Sequence, residues 1–253
     1  MRLPIIGANW KMHKTIREAE SFAAEFPADA DLYRKVEVVI FPTFTALAVV
    51  GNALRGTGIK MGAQNMHFET KGAFTGEISP NMLLDAGCSY VLLGHSERRH
   101  IFKETNEFIN KKVKAALAHG LVPILCIGET LEERQNGRTE DVCKEQLLGS
   151  LTDIEARDIT TMVVAYEPVW AIGTGVNATS QDAEETIAFI RRIIHEKYGQ
   201  KAGESVRIQY GGSVKPTNAR EYFSKENIDG ALVGGASLEV DSLSEIIKSA
   251  GII

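Results

Sequence analysis

The sequence predicts an α/β chain folded as a single-domain (β/α)8 barrel over residues 1–253, and three observations carry that expectation. Short β-branched runs recur along the chain, each followed by a longer stretch of helical period. Several of the runs are apolar almost throughout, as parallel strands covered on both faces should be. Shared among eight units, the chain gives about 32 residues to each, enough for a strand, a helix and two loops.

Taken in order, the expected strands are residues 4–9, 36–41, 59–63, 90–93, 122–127, 162–166, 206–210 and 230–233. The first follows Met1-Arg2 directly, so no signal peptide is expected before it. Ahead of the fifth strand, Ile109, Val113, Ala116 and Leu117 follow the i, i+4, i+7, i+8 spacing of a helix, which Gly120 should stop in a left-handed turn. Ahead of the seventh, Thr179 or Ser180 caps a helix whose buried stripe is Ala183, Ile187, Ile190 and Ile194. Its charge runs from Asp182, Glu184 and Glu185 to Arg191, Arg192 and Lys197, the order that suits a helix dipole. An open doubly wound sheet is the alternative. No G-x-G-x-x-G follows the first strand, and eight regular units favour closure.

Hydrophobic residues make up 44% and charged residues 24%, which allows both a sizeable core and a polar surface. The formal net charge of −5 argues against a nucleic-acid partner and requires local positive potential for any anionic substrate. No apolar stretch is long enough for a bilayer. Cys88, Cys126 and Cys143 lack paired spacing, which fits free thiols in a reducing compartment. Ligand-spaced Cys and His are missing too, so no metal and no cofactor is expected. The expected location is the cytoplasm.

In a barrel of this kind, chemistry sits where the strands end. Here those ends carry Asn9 and Lys11, Gln64 and Asn65, His95, Glu129, Glu167, Gly211-Gly212-Ser213 and Gly234-Gly235. Each taken singly has an ordinary reading: a solvated charge, a helix start, a turn. Their coincidence on one rim is what points to a site. The two Gly pairs follow the seventh and eighth strands, where barrels bind phosphate on backbone N–H groups, and glycine lets the backbone come close to the anion. Ser213 adds a hydroxyl donor. After the sixth strand, Glu167 is followed by Pro168, the apolar residues Val169, Trp170, Ala171 and Ile172, then Gly173-Thr174-Gly175. A loop stiff in its middle and free at its ends can serve as a lid. A base (Glu167), a neutral donor (His95), a cation (Lys11), an amide (Asn9) and an anion cradle together suit proton removal beside a carbonyl. The implied substrate is a carbonyl-bearing phosphate ester.

Five stretches carry a resemblance: Asn9-Trp10-Lys11-Met12, Gly94-His95-Ser96-Glu97-Arg98-Arg99, residues 165–175, Gln209-Tyr210-Gly211-Gly212-Ser213 and Val233-Gly234-Gly235-Ala236. In their order and across the whole chain, they resemble the triosephosphate isomerase family. The resemblance implies a TIM barrel that interconverts dihydroxyacetone phosphate and D-glyceraldehyde 3-phosphate without a metal, in glycolysis and gluconeogenesis. It implies Glu167 as the proton carrier, His95 as the electrophile, Lys11 as an electrostatic stabiliser and Asn9 as a hydrogen-bond partner of the substrate oxygens. Gly173, Ser213, Gly234 and Gly235 would bind phosphate. Glu97 would neighbour Lys11, and Ser96 the resting Glu167. Tyr210 and Ser213 would latch a lid containing Pro168, Trp170, Ala171, Gly173 and Gly175. Two residues depart from the pattern: Ala8 stands where Gly is frequent, and Val176 where Lys is common, which puts the rate of lid opening in doubt.

Residues 65–77 form a long connection for a βα loop and carry Met66, Phe68 and Phe74 beside two glycines. Apolar side chains on a protruding loop call for a partner surface. By the same resemblance the loop, from Asn65 through Phe74 and Thr75, would enter a second subunit of a homodimer; a loop folded onto its own barrel is the alternative. Two other functions compete. A Schiff-base aldolase would need Lys11 in an apolar pocket, whereas Glu97 is its expected neighbour. A non-catalytic phosphosugar-binding protein would not need Asn9, Lys11, His95 and Glu167 together.

Overall fold

A computed structural model describes residues 2–27, 29–172 and 178–251. Eight strands form a closed barrel in sequence order: β1 (Ile5–Asn9), β2 (Glu37–Phe41), β3 (Lys60–Ala63), β4 (Tyr90–Leu93), β5 (Val122–Ile127), β6 (Val163–Tyr166), β7 (Arg207–Tyr210) and β8 (Gly230–Val233). Every pairing is parallel, and β1 closes the ring against both β2 and β8. Each strand lies within a residue of its expected bounds. The open-sheet alternative is thereby excluded.

Closure follows from two-sided burial. Successive residues of a strand face opposite ways, and here both directions are apolar. Ile5, Val39, Phe41, Leu92, Ile124, Cys126, Val163, Ala165 and Leu232 form one cluster. Their strand neighbours, among them Ile6, Ile40, Val91, Leu125, Val164 and Ile208, join a larger cluster with the helices. The first fills the barrel, and the second glues it to its jacket. Gly62 faces Phe41 so closely that a β-carbon would overlap the ring. Below the filled layers, Glu37 accepts the Tyr90 hydroxyl at 2.7 Å and pairs with Arg207.

The helices follow their capping signals. Asn106–Ala118 buries Ile109, Val113 and Ala116, with Leu117 packed at its edge, and Gly120 follows at φ +78°. Ser180–Tyr198 begins at Thr179, whose hydroxyl accepts the Asp182 N–H at 3.0 Å while Asp182 accepts the Thr179 N–H at 3.2 Å. Ala183, Ile187, Ile190 and Ile194 are all buried. Among the described residues, no helix is long and apolar enough to cross a membrane.

Candidate active site

At the C-terminal ends of the strands lies a cavity of about 440 Å³, whose lining includes Asn9, Lys11, His95, Glu167, Ser213 and Gly234. The parallel barrel places every strand's last residue at this one mouth, so groups from β1, β4, β6, β7 and β8 converge regardless of their separation in sequence. Gly235 also lines it. Gly173 and Gly175 lie outside the described residues.

Glu167 stands just past β6 and is 2% exposed. Its N–H donates to the Ile127 carbonyl at 2.7 Å, continuing the β5–β6 pairing one residue beyond the strand. One carboxylate oxygen lies 3.0 Å from His95 Nε2, and the other accepts the Ser96 backbone N–H at 3.0 Å. Ser96 thus touches Glu167 through its backbone N–H. Burial by itself would raise the Glu167 pKa, but His95, the Ser96 N–H and Lys11 outweigh it and hold the carboxyl below its ordinary value.

His95 caps the short helix Ser96–His100, its Nδ1 accepting the Glu97 N–H at 3.2 Å. An Nδ1 that accepts carries no proton, so in this geometry the ring's hydrogen sits on Nε2, facing Glu167. Burial disfavours a charge on the imidazole; the Glu167 and Glu97 carboxylates favour it and prevail, so in the resting site His95 titrates above its ordinary value. Taking up that proton would break the cap bond. The raised value therefore belongs to the resting pair, and drawing Glu167 away removes its main cause.

Lys11 lies beyond β1 in a left-handed backbone at φ +52°, a conformation costing a non-glycine residue on the order of 1 kcal/mol. Its N–H donates to Asn9 Oδ1 at 3.1 Å, and its Nζ meets Glu97 at 2.7 Å. That ion pair gives Lys11 a charged neighbour in place of the apolar pocket an aldolase nucleophile needs. Gly234 lies beside it: a β-carbon there would stand 3.6 Å from Lys11 Cε. Among the described residues, no group of three His, Cys, Asp or Glu could hold a metal ion.

The segment after Glu167 is anchored by residues that the sequence left unassigned. Val169–Ala171 form one 3-10 turn after Pro168, and Ala171 is buried. Trp170 donates its indole N–H to Glu129 at 2.9 Å, and the Tyr166 hydroxyl donates to the same oxygen at 3.2 Å. The Arg134 guanidinium lies 4.6 Å over the Trp170 ring and bonds Asp182 at 3.0 Å. Glu129 stands out in the sequence only as a strand-end residue, and no local signal marks Arg134. The Tyr210 ring stacks on Tyr222 at 4.4 Å, and its buried hydroxyl has no hydrogen-bond partner among the described residues. In the loop after β3, Asn65 turns inward to accept Lys112 Nζ at 2.8 Å, while Phe74 and Thr75 are exposed.

Glu129 is fully buried, and its second oxygen lacks a partner among the described residues. Burial raises its pKa from 4.5 despite its bonds to Trp170 and Tyr166 and the nearby Arg134. A carboxyl that binds its proton more tightly when folded favours the fold fully below the unfolded value, and that contribution is lost as pH rises through the folded value. Glu129→Gln removes the charge. The variant is expected to melt higher than the wild type at neutral pH, with the difference vanishing at about pH 4. Thermal unfolding at the two pH values measures both.

A sequence model of the family described as Triosephosphate isomerase matches residues 4–250. A triosephosphate isomerase of Dictyoglomus thermophilum is 53% identical, covering 98% of this chain and 100% of its own. One from Clostridium perfringens is 56% identical over the same shares. One from Symbiobacterium thermophilum is 55% identical over 99% of this chain and 98% of its own.

Proposed function

The chain belongs to the triosephosphate isomerase family and is an aldose–ketose isomerase, and from that premise we propose that it interconverts dihydroxyacetone phosphate and D-glyceraldehyde 3-phosphate through an enediolate. One observation carries this reading: the Glu167 carboxylate and the His95 Nε2 meet at 3.0 Å inside the mouth that Ser213 and the Gly234-Gly235 turn also line.

Glu167 takes a proton from the carbon beside the carbonyl and returns it to the neighbouring carbon. His95 donates Nε2–H to the developing oxyanion and passes the hydroxyl proton from one substrate oxygen to the other, which a neutral imidazole can do without first losing a charge. Lys11 supplies the cation that the net charge of −5 otherwise denies an anionic substrate. Asn9, its Oδ1 engaged by the Lys11 N–H, keeps its NH2 as the donor to orient the substrate oxygens. Phosphate rests on Ser213, Gly234, Gly235 and Gly173. Pro168, Trp170, Ala171, Gly173 and Gly175 belong to a lid, with Tyr210 and Ser213 as its latch. The setting is glycolysis and gluconeogenesis in the cytoplasm, carried out by one domain spanning the chain. An isomerase assay on purified protein in excess EDTA, run from each triose phosphate, tests the reading. Turnover in both directions is expected, and none in either sinks it.

The same reading makes the chain a homodimer. Met12 is 93% exposed, and Phe44 and Phe102 are also exposed, yet all three line a recess shared with Lys11, His95 and Glu97. An apolar recess beside a catalytic lysine suits the loop at Phe74 and Thr75 of a second copy. Thr75→Arg is expected to yield monomers by sedimentation and to lower kcat by about 10-fold or more. A variant that stays dimeric and fully active would detach the loop from this role.

A further inference from the structure

We propose that Gln64 is a positioning residue for the reaction: its side-chain amide holds the Lys11 backbone in the left-handed turn that aims the Lys11 ammonium into the site. The inference rests on the isomerase reading above. A lysine gains nothing locally from φ +52°, because its β-carbon crowds the following carbonyl. Outside forces must hold it there. Two are present. The Asn9 side-chain Oδ1 accepts the Lys11 N–H at 3.1 Å, and Gln64 Nε2 donates to the Lys11 carbonyl at 2.8 Å.

The same Gln64 nitrogen donates to the Phe41 carbonyl at 3.0 Å. Phe41 ends β2, and its carbonyl also accepts the Trp10 N–H at 3.2 Å. One primary amide, with two hydrogens on a single nitrogen, therefore ties the Lys11 turn to the end of β2 from just beyond β3. A carboxylate cannot do this, since it would set an oxygen against two carbonyls. With its N–H and its carbonyl both fixed, Lys11 has little freedom to rotate its flanking peptides. Its side chain must then pass beside Gly234 on the way to Glu97. The amide thus controls where the cation stands between the phosphate cradle and His95.

A role confined to general stability would predict the same loss whether or not Lys11 carries its ammonium. Gln64→Met keeps the volume and removes both donors; Gln64→Glu keeps the shape and reverses the polarity. Each is to be made in the full chain, alone and on Lys11→Ala, and assayed for kcat/KM and for affinity for 2-phosphoglycolate. In the wild-type background kcat/KM is expected to fall on the order of 10-fold or more, and affinity with it. On Lys11→Ala, a further fall of no more than about 2-fold is expected, because the group being positioned is gone. Equal losses in the two backgrounds, or no loss in the first, overturn the proposal. If Gln64→Met fails to fold, Gln64→Glu decides. An inactive wild type would instead refute the isomerase reading, so the two failures are distinct.

Discussion

Glu167→Asp is expected to lower kcat on the order of 10²-fold or more while changing the affinity for a phosphate-bearing analogue far less. The substitution removes one methylene and draws the carboxylate back by about 1 Å, and proton transfer tolerates such a displacement poorly. The backbone cannot advance to compensate. The Glu167 N–H is held by the Ile127 carbonyl at 2.7 Å. Gly128 lies so close to the Glu167 carbonyl that a β-carbon on it would overlap, and a β-carbon on Gly211 would stand 2.7 Å from Glu167 Cγ. These glycines confine the residue from two sides. The proposed phosphate cradle, at Ser213 and Gly234-Gly235 just past β7 and β8, keeps its own donors when the Glu167 side chain is shortened. Steady-state kinetics in both directions, with the dissociation constant of 2-phosphoglycolate, separate the two effects. Near-normal turnover would remove Glu167 from the role of base.

The fold is legible because its determinants are local. A fully buried strand reads as a continuous apolar run, and Gly120, at φ +78°, marks the end of the helix before it. The candidate site is legible for a further reason: once eight parallel strands are expected, topology alone collects their ends. Lys11 and Glu97 are 86 residues apart and need no shared motif to meet.

What stays hidden is the set of polar groups whose meaning depends on a distant partner. Glu129 looks like a solvated charge by residue type, yet it is fully buried and accepts from both Trp170 and Tyr166. Lys112 sits in a helical stretch with other lysines but is 1% exposed, bonded to Asn65 and Glu104. Burial lowers its pKa even so. Such groups cannot be told from surface charges by spacing or composition, because their partners are fixed only when the helices dock. Gln64 belongs with them: its place at a strand end is visible, whereas the two carbonyls it joins come from loops and strands far from it in sequence.

The largest effect on stability is expected far from the site, at Asp229→Ala. Asp229 lies just before β8 and is 7% exposed. Its carboxylate accepts from Arg2 and from Arg191 at 2.7 Å, and also takes the Ile208 N–H at 2.7 Å. Its backbone completes the seam: the Asp229 N–H donates to Ile208 at 2.8 Å, and its carbonyl accepts the Ile5 N–H at 2.8 Å. One residue thus joins β7, β8 and β1 where the ring closes. Arg191 could not turn to solvent once its partner is gone, since it also donates to the carbonyls of Gly203, Val206 and Asn227. Burial already lowers the Arg191 pKa with Asp229 present. Removing the carboxylate strips that buried cation of its ion-pair partner, a loss of about 3–5 kcal/mol. For a chain of this length, that lowers the melting temperature by about 10 °C. Asp229→Asn, which can still accept the Ile208 N–H, is expected to fall between the two. Because Asp229 sits at the mouth opposite the cavity, kcat well below the melting temperature should stay at the wild-type value. Thermal unfolding of the three proteins decides it: if Asp229→Ala melts with the wild type, the closing seam does not depend on this ion cluster.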